Sequence, residues 1–235
     1  MEGKEQNSNI KMNYQIPCFQ FHDVSFAWPG KRVILERQNF IVPQGAFVLI
    51  HGPSGTGKST ILRLMNRLEE VDSGKISFLG QNLTHWNPCE LRQQAAYLQQ
   101  IPAIPDLSIR DILLQPFFFR VNKEKAKPPD QNLLKLLAKV KMNDVRLDDP
   151  GAVLSGGQRQ RLSLLRTLLT GPKAMLLDEP TSSLDSESKG YVHELLEDLN
   201  RQGTTIVLIT HDTFSPKKVP VVEITIDQGR VFLCR

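Results

Sequence analysis

Residues 52–59 read Gly52-Pro53-Ser54-Gly55-Thr56-Gly57-Lys58-Ser59, a full match to the phosphate-binding pattern G-x-x-x-x-G-K-[ST]. The apolar residues 46–50 before this loop predict a strand that is buried on both faces. Apolar residues spaced along 61–68 predict a helix after the loop. A strand, a glycine-rich loop and a helix in this order predict an α/β fold, in which backbone N–H groups converge on phosphate oxygens at a helix N-terminus.

The residue types in the loop suit a nucleoside triphosphate. Glycines allow turns and a close backbone approach that a Cβ atom would block. Lys58 is expected to reach the β- and γ-phosphates, and the Ser59 hydroxyl is expected to bind Mg²⁺. The loop alone therefore predicts a nucleoside triphosphate and Mg²⁺ as ligands, without indicating which nucleotide. The predicted binding residues of the loop are Gly52, Pro53, Ser54, Gly55, Thr56, Gly57, Lys58, Ser59 and Thr60.

A second apolar run, residues 174–177, ends in Asp178 and Glu179. This run predicts a buried strand, and ligands bind at the carboxyl ends of strands in open α/β sheets. Asp178 is expected to hold Mg²⁺ through water, and Glu179 to polarise an attacking water as a general base. Two adjacent carboxylates are costly unless a cation or substrate compensates them, although a structural Asp-Glu turn is the alternative.

Between the loop and the acidic pair lies Leu154-Ser155-Gly156-Gly157-Gln158. Its small residues at the start of a helix predict a second anion site. With all three motifs, residues 19–232 resemble the ATP-binding subunit of an ABC transporter. The resemblance implies ATP hydrolysis in a P-loop NTPase of ABC type. The expected architecture is a mainly parallel sheet, an N-terminal antiparallel β subdomain and an inserted helical subdomain at about 101–170.

The same resemblance implies roles for residues outside the three motifs. Trp28 matches the aromatic residue that stacks on adenine, with a core aromatic as the alternative. Gln100 matches the Q-loop glutamine that senses Mg²⁺ and contributes to catalysis, and Gln99 is its rival by one residue. Asp185 falls in the D-loop. His211 matches the switch histidine, which contacts the γ-phosphate and supports the base.

In ABC proteins the signature binds the γ-phosphate of ATP held by another subunit. Ser155, Gly156, Gly157 and Gln158 are therefore expected to contact the nucleotide of a second copy of the chain. One chain would thus hold two half-sites, and ATP would join two copies head to tail. The catalytic residues implied for each complete site are Lys58, Gln100, Glu179 and His211.

Along the chain, we expect a flexible tail over residues 1–17 and a single ATP-binding domain over 18–235. The sequence contains no internal repeat, so a tandem pair of domains is not expected. Strand and helix patterns alternate over residues 174–209, which predicts a parallel sheet with crossover helices. Helical periodicity over residues 133–140 predicts a helix in the insertion, with Asp130 as its N-cap.

Composition narrows the possible partners. The 29 basic and 25 acidic residues give a net charge of +4, without a block of like charges, so nucleic acid is not expected. Three separated cysteines favour a reducing compartment over a disulfide framework. No apolar run approaches the roughly 20 residues of a membrane span. We therefore expect a peripheral protein at the cytoplasmic face of the inner membrane, with a separate permease chain as partner.

Two stretches, residues 91–97 and 161–166, look most similar to small iron-export ATPase subunits and their plant aluminium-tolerance relatives. Amino-acid or phosphate importers are the alternative, and a soluble ABC ATPase is disfavoured because such proteins usually carry two ATP-binding domains or long coiled coils. Apolar residues at 101–107 and 116–119 are expected to form the permease-docking surface. The alternative for Phe117, Phe118 and Phe119 is packing within the helical subdomain.

Overall fold

A computed structural model describes residues 16–30, 33–212 and 214–234, so residues 1–15 of the predicted tail lie outside the described residues. The centre of the fold is a six-stranded sheet in the order β10-β9-β3-β8-β7-β6. All neighbouring strands are parallel except β10, which runs antiparallel to β9. The strands are β3 (Phe47–His51), β6 (Ala95–Leu98), β7 (Ala174–Asp178), β8 (Thr205–Ile209), β9 (Val221–Asp227) and β10 (Arg230–Cys234).

The N-terminal region forms a separate antiparallel sheet in the order β2-β1-β4-β5. Phe19 and Phe21 alternate with exposed residues along its first strand, so that one face packs into the core. Its strands are β1 (Phe19–Ala27), β2 (Val33–Val42), β4 (Ser73–Phe78) and β5 (Gln81–Asn82). The predicted antiparallel subdomain and mainly parallel core are both confirmed.

Helices cover the faces of the six-stranded sheet. On β3, Val48 and Ile50 join one apolar cluster with the antiparallel sheet, whereas Phe47 and Leu49 join a second cluster with the helical insertion. Burial on both faces explains the continuous apolar run before the phosphate-binding loop. The helices are α1 (Lys58–Met65), α2 (Pro88–Gln94), α3 (Ile109–Leu114), α4 (Asp130–Lys139), α5 (Gly156–Leu168) and α6 (Ser186–Arg201). Of these, α3, α4 and α5 form the predicted helical insertion.

The predicted N-cap at Asp130 is wrong. Helix α4 begins at Asp130, and Pro129 occupies the N-cap position without a side-chain cap. The Asp130 carboxylate instead accepts a hydrogen bond from Arg110 Nη2 at 2.9 Å, which links α4 to α3. Asp130 is therefore the first residue inside the helix, and Pro129, with its extended backbone angles, occupies the position before it. Among the described residues, no helix has both the length and the apolar character needed to cross a bilayer.

Candidate active site

The phosphate-binding loop is held in shape by two glycines. Gly57 has a backbone φ of +101°, and a Cβ atom built on it would lie 2.2 Å from Ile34 Cγ2. Gly52 has a φ of +141°, and its Cβ would lie 2.4 Å from the carbonyl oxygen of Ile226. Both contacts are far below normal separations, so no other residue fits this loop without displacing its neighbours.

Helix α1 begins where the loop ends. Its first hydrogen bond runs from the Ile61 N–H to the Gly57 carbonyl oxygen at 3.0 Å. The N–H groups of Lys58, Ser59 and Thr60 therefore precede the first intrahelical donor and point out of the helix N-terminus. Such an end suits an anion such as a phosphate group.

The Ser59 hydroxyl and the Asp178 carboxylate lie together beside the N-terminus of α1. The Ser59 hydroxyl donates to Asp178 Oδ1 at 3.0 Å, and the Tyr97 hydroxyl donates to Oδ2 of the same carboxylate at 3.1 Å. Burial, reinforced by the charge of Asp178, raises the pKa of Tyr97 above its ordinary value, so this phenol stays a donor. Hard oxygen ligands of this kind suit Mg²⁺, which is usually held by one or two protein oxygens together with phosphates.

The Glu179 carboxylate is contacted on both of its oxygens. Gln100 Nε2 donates to Oε2 at 2.8 Å, and His211 Nε2 lies 3.2 Å from Oε1. Gln99, the alternative to Gln100, makes a different contact: its side-chain amide donates to the Ile101 carbonyl at 2.8 Å. The structure therefore brings Gln100, Glu179 and His211 together at the carboxyl ends of β6, β7 and β8.

A cavity of about 550 Å³ joins the loop to the Glu179 cluster. Trp28 forms one side of it and packs edge-to-face on Phe26, with ring centroids 5.2 Å apart. Phe26 is the buried member of this pair. The residues that line the cavity are Trp28, Ile34, Ser54, Gly55, Gly57, Lys58, Ser59, Thr60, Gln100, Glu179 and His211.

The stretch Ser155-Gly156-Gly157 lies at the N-terminus of α5 and does not line this cavity. Ser155 caps α5: its hydroxyl accepts from the Gln158 N–H at 3.2 Å, and its own N–H donates to Gln158 Oε1 at 2.9 Å. Ser155 and Gly156 are exposed, and a Cβ atom on Gly156 would meet no atom within 4 Å. Neither residue lines the cavity beside Lys58. The exposed α5 N-terminus is of the kind that suits an anion, and it lies outside the cavity that Lys58 lines.

A protein-family model described as ABC transporter matches residues 35–182 of the chain. The chain belongs to the ABC transporter family. It is therefore an ABC-type ATPase, an enzyme that binds and hydrolyses ATP.

Relatives and a solved structure support this assignment. The glutamine transport ATP-binding protein GlnQ of Escherichia coli K12 is 38% identical over 207 residues, covering 86% of this chain and 85% of GlnQ. The probable iron export ATP-binding protein FetA of the same organism is 37% identical over 202 residues, covering 86% and 88%. An ATP-binding cassette solved as a dimer after hydrolysis, with ADP and phosphate, has a TM-score of 0.76 and 27% identity, covering 91% and 96%.

Asp185 of this ABC ATPase lies at the N-cap of α6. Its carboxylate accepts from the N–H and the hydroxyl of Ser188, at 2.8 and 3.0 Å. These hydrogen bonds hold the pKa of Asp185 below its ordinary value. The side chain is exposed and does not line the Lys58 cavity, so its contact with nucleotide stays a prediction.

Three residues near the ATPase site were not singled out from the sequence. Ile34 lines the cavity and packs against Gly57, Tyr97 contacts Asp178, and Gln160 contacts the backbone of Glu179. Tyr97 could have been found, because β6 ends beside β7 and the phenol lies three residues before Gln100. Ile34 and Gln160 act through tertiary contacts that no local pattern indicates.

Proposed function

We propose that this chain is the ATP-hydrolysing subunit of a transporter, that it dimerises head to tail around ATP, and that the dimer drives a separate integral membrane permease. It would work as a peripheral subunit at the cytoplasmic face of the inner membrane. The observation that carries the proposal is the cluster of Gln100, Glu179 and His211 facing the Lys58 cavity.

Each residue of the cluster would have a distinct task with ATP bound. The N–H groups at the α1 N-terminus and Lys58 would hold the phosphates, and Trp28 would stack on the adenine. Ser59 and Asp178 would hold Mg²⁺, which when bound neutralises charge on the phosphates.

Glu179 would accept a proton from the attacking water. His211 and Gln100 contact one carboxylate oxygen each, so they limit its rotation and keep it directed into the cavity. Catalysis would then consist mainly of positioning and charge stabilisation.

The exposed α5 N-terminus supports the dimer. Because Ser155 and Gly156 do not line the cavity of their own chain, they are available for the γ-phosphate of ATP bound to a second copy. The dimeric cassette to which the chain is similar supports the same assembly. ATP binding would close the dimer and hydrolysis would open it, and the permease would use this motion.

The Glu179→Gln variant tests both parts of the proposal. Glutamine has the size of glutamate but cannot take the proton, so we expect ATP binding to persist and hydrolysis to fall by about 10²-fold or more. The variant should also form a stable dimer with ATP and Mg²⁺, as measured by light scattering during size-exclusion chromatography. Hydrolysis at the wild-type rate would refute the base assignment, and a monomer at saturating ATP would refute the dimer.

The surface beside Gln100 is suited to a permease segment. A groove of about 1630 Å³ runs between α2, β6 and the first part of the helical insertion. Its apolar wall includes Ile104, Pro105, Pro116 and Phe119. Since the groove borders the segment that carries Gln100, an occupant could respond to the state of the ATPase site.

The three consecutive phenylalanines differ in exposure. Phe117 is 6% exposed and packs in the helical subdomain, whereas Phe118 is 64% exposed and Phe119 is 58% exposed. Lys127 Nζ lies 3.9 Å from the Phe118 ring centroid. We propose that Phe118 and Phe119 extend the docking surface of the groove.

Charged substitutions test this surface. Phe118→Glu and Ile104→Glu should reduce co-purification with the permease while leaving ATP affinity of the isolated subunit within about twofold. Leu134→Glu is the matched control, because Leu134 is also an exposed apolar residue but lies on α4 outside the groove. Equal losses of permease binding and ATP affinity in Phe118→Glu and Ile104→Glu would instead indicate a packing role.

For the transported molecule, we propose export of a metal ion such as iron. The support is the resemblance of residues 91–97 and 161–166 to iron-export subunits, together with the similarity to FetA. Amino-acid import is the second candidate because of the similarity to GlnQ.

Transport assays in cells that express this chain together with its permease would separate the two candidates. Glu179-dependent loss of radiolabelled iron from preloaded cells supports export, and Glu179-dependent uptake of labelled glutamine supports import. If fractionation finds the chain bound to ribosomes or DNA rather than to membranes, both transport proposals are wrong.

A further inference from the structure

Gln160 is a buried side chain on α5 that bonds two backbone groups of the loop after β7. It is 2% exposed. Its Nε2 atom donates to the carbonyl oxygen of Glu179 at 2.9 Å, and its Oε1 atom accepts from the Ser183 N–H at 3.2 Å. A side-chain amide offers a donor and an acceptor at once, so both backbone groups are satisfied by one residue.

The backbone of Glu179 is strained. Its φ is +48°, in the left-handed region that is costly for a residue with a Cβ atom. Such a conformation persists only where its surroundings hold it. Its N–H donates to the Ile209 carbonyl at 3.0 Å, and its carbonyl accepts from Gln160 and from the Ser182 N–H at 3.2 Å. Gln160 is the contact supplied by the helical insertion.

A second contact joins α5 to the same loop. A Cβ atom built on Gly157 would lie 3.1 Å from Leu184 Cδ2 and 3.4 Å from the Ser183 carbonyl oxygen. Helix α5 therefore meets the loop at Gly157 and again at Gln160. The helix that begins at the exposed Ser155 is in this way fixed against the backbone that carries Glu179.

We propose that Gln160 is a positioning residue for ATP hydrolysis. It holds Glu179 in the left-handed conformation from which the carboxylate reaches Gln100 and His211. Without the two amide bonds, the backbone relaxes toward negative φ and the carboxylate leaves its two partners. The inference rests on the proposed role of Glu179 as the base.

The Gln160→Met variant tests this role, because methionine keeps the length of the side chain and removes its amide. We expect kcat for ATP hydrolysis to fall about tenfold or more. The KM for ATP, and the ATP affinity measured by calorimetry, should stay within about twofold because Gln160 does not line the nucleotide cavity.

Leu164→Val is the matched control. Leu164 is a buried residue of the same helix and belongs to the apolar core of the helical insertion. Its truncation should lower the melting temperature and leave kcat near the wild-type value. A kcat loss in Gln160→Met no larger than that in Leu164→Val, at comparable melting temperatures, would overturn the inference.

A second variant covers the case in which Gln160→Met does not fold. Gln160→Glu keeps an acceptor for the Ser183 N–H but cannot donate to the Glu179 carbonyl when ionised, so it should also lose kcat with little change in KM. A buried carboxyl can donate while it is protonated, so kcat is measured over a rising pH series relative to wild type; a wild-type kcat throughout that series would contradict the proposal. The Glu179→Gln measurement is made in parallel: hydrolysis at the wild-type rate there removes the base assignment itself, whatever Gln160 does.

Discussion

Replacing Gly57 by alanine should damage both the stability of the fold and the nucleotide site. The new Cβ atom would lie 2.2 Å from Ile34 Cγ2, at a backbone φ of +101°. The φ strain costs about 1–3 kcal/mol, and the overlap costs about 1–3 kcal/mol more. Alanine also lowers the conformational entropy of the unfolded chain, which offsets about 0.4–1 kcal/mol of these two costs. We therefore expect the free energy of unfolding to fall by about 1–5 kcal/mol.

Gly171→Ala separates backbone strain from overlap. Gly171 has a φ of +62°, and a Cβ atom there would meet no atom within 4 Å. Its cost should therefore be only the left-handed strain, about 1–2 kcal/mol before the same offset. Urea unfolding followed by circular dichroism would measure both variants. ATP affinity should fall only in Gly57→Ala, because Ile34 and Gly57 both line the cavity.

A double-mutant cycle with Ile34→Ala isolates the steric contact. Alanine at position 34 lacks the Cγ2 atom, so the combined variant should be more stable than the sum of the two single effects by about 1–3 kcal/mol. Additive effects, or equal losses of stability in Gly57→Ala and Gly171→Ala, would refute the account of how β2 supports the phosphate-binding loop.

Two further predictions concern Trp28 and Asp185. Trp28→Ala should weaken ATP binding by about 5- to 150-fold, the equivalent of ~1–3 kcal/mol of stacking, as measured by calorimetry. Trp28→Phe should retain most of the affinity. An unchanged affinity in Trp28→Ala with a large fall in melting temperature would make Trp28 a core aromatic. Because Ser188 lowers the pKa of Asp185, this carboxylate stabilises the fold above its unfolded pKa, and the contribution is lost as the pH falls through the folded value. The stability of wild type relative to Asp185→Asn, measured by denaturation between about pH 6 and about pH 2.5, should therefore decline toward acid pH, whereas a constant difference would contradict the assigned hydrogen bonds.

The elements that the sequence predicts best are those with a strong local signal. The apolar runs ending at Ile50, at Leu177 and at Ile209 all form parallel strands, because a strand buried on both faces has no polar alternation. The helix expected from the alternating pattern over residues 174–209 is α6, which begins directly after the Asp185 cap. Strand β9 was not predicted, because its partly exposed, mixed sequence has a weak periodicity.

The site was predictable where motifs carry it and not where tertiary packing builds it. Lys58, Ser59 and Asp178 follow from spacing and strand ends, and the structure brings Ser59 and Asp178 into contact. Gln160 reaches Glu179 across 19 residues of sequence, and that contact depends on how α5 docks on the sheet. The N-cap prediction at Asp130 was wrong by one position, because the extended backbone angles that define a cap fall on Pro129.

The most direct measurement for this ABC ATPase is a crystal structure of Glu179→Gln with ATP and Mg²⁺. The decisive distance joins Ser155 Oγ of one copy to the γ-phosphate oxygens held by Lys58 of the other copy. Our account predicts about 3 Å, a hydrogen bond. A closed, ATP-bound dimer in which this distance exceeds about 5 Å, beyond hydrogen-bonding reach, would contradict the shared site.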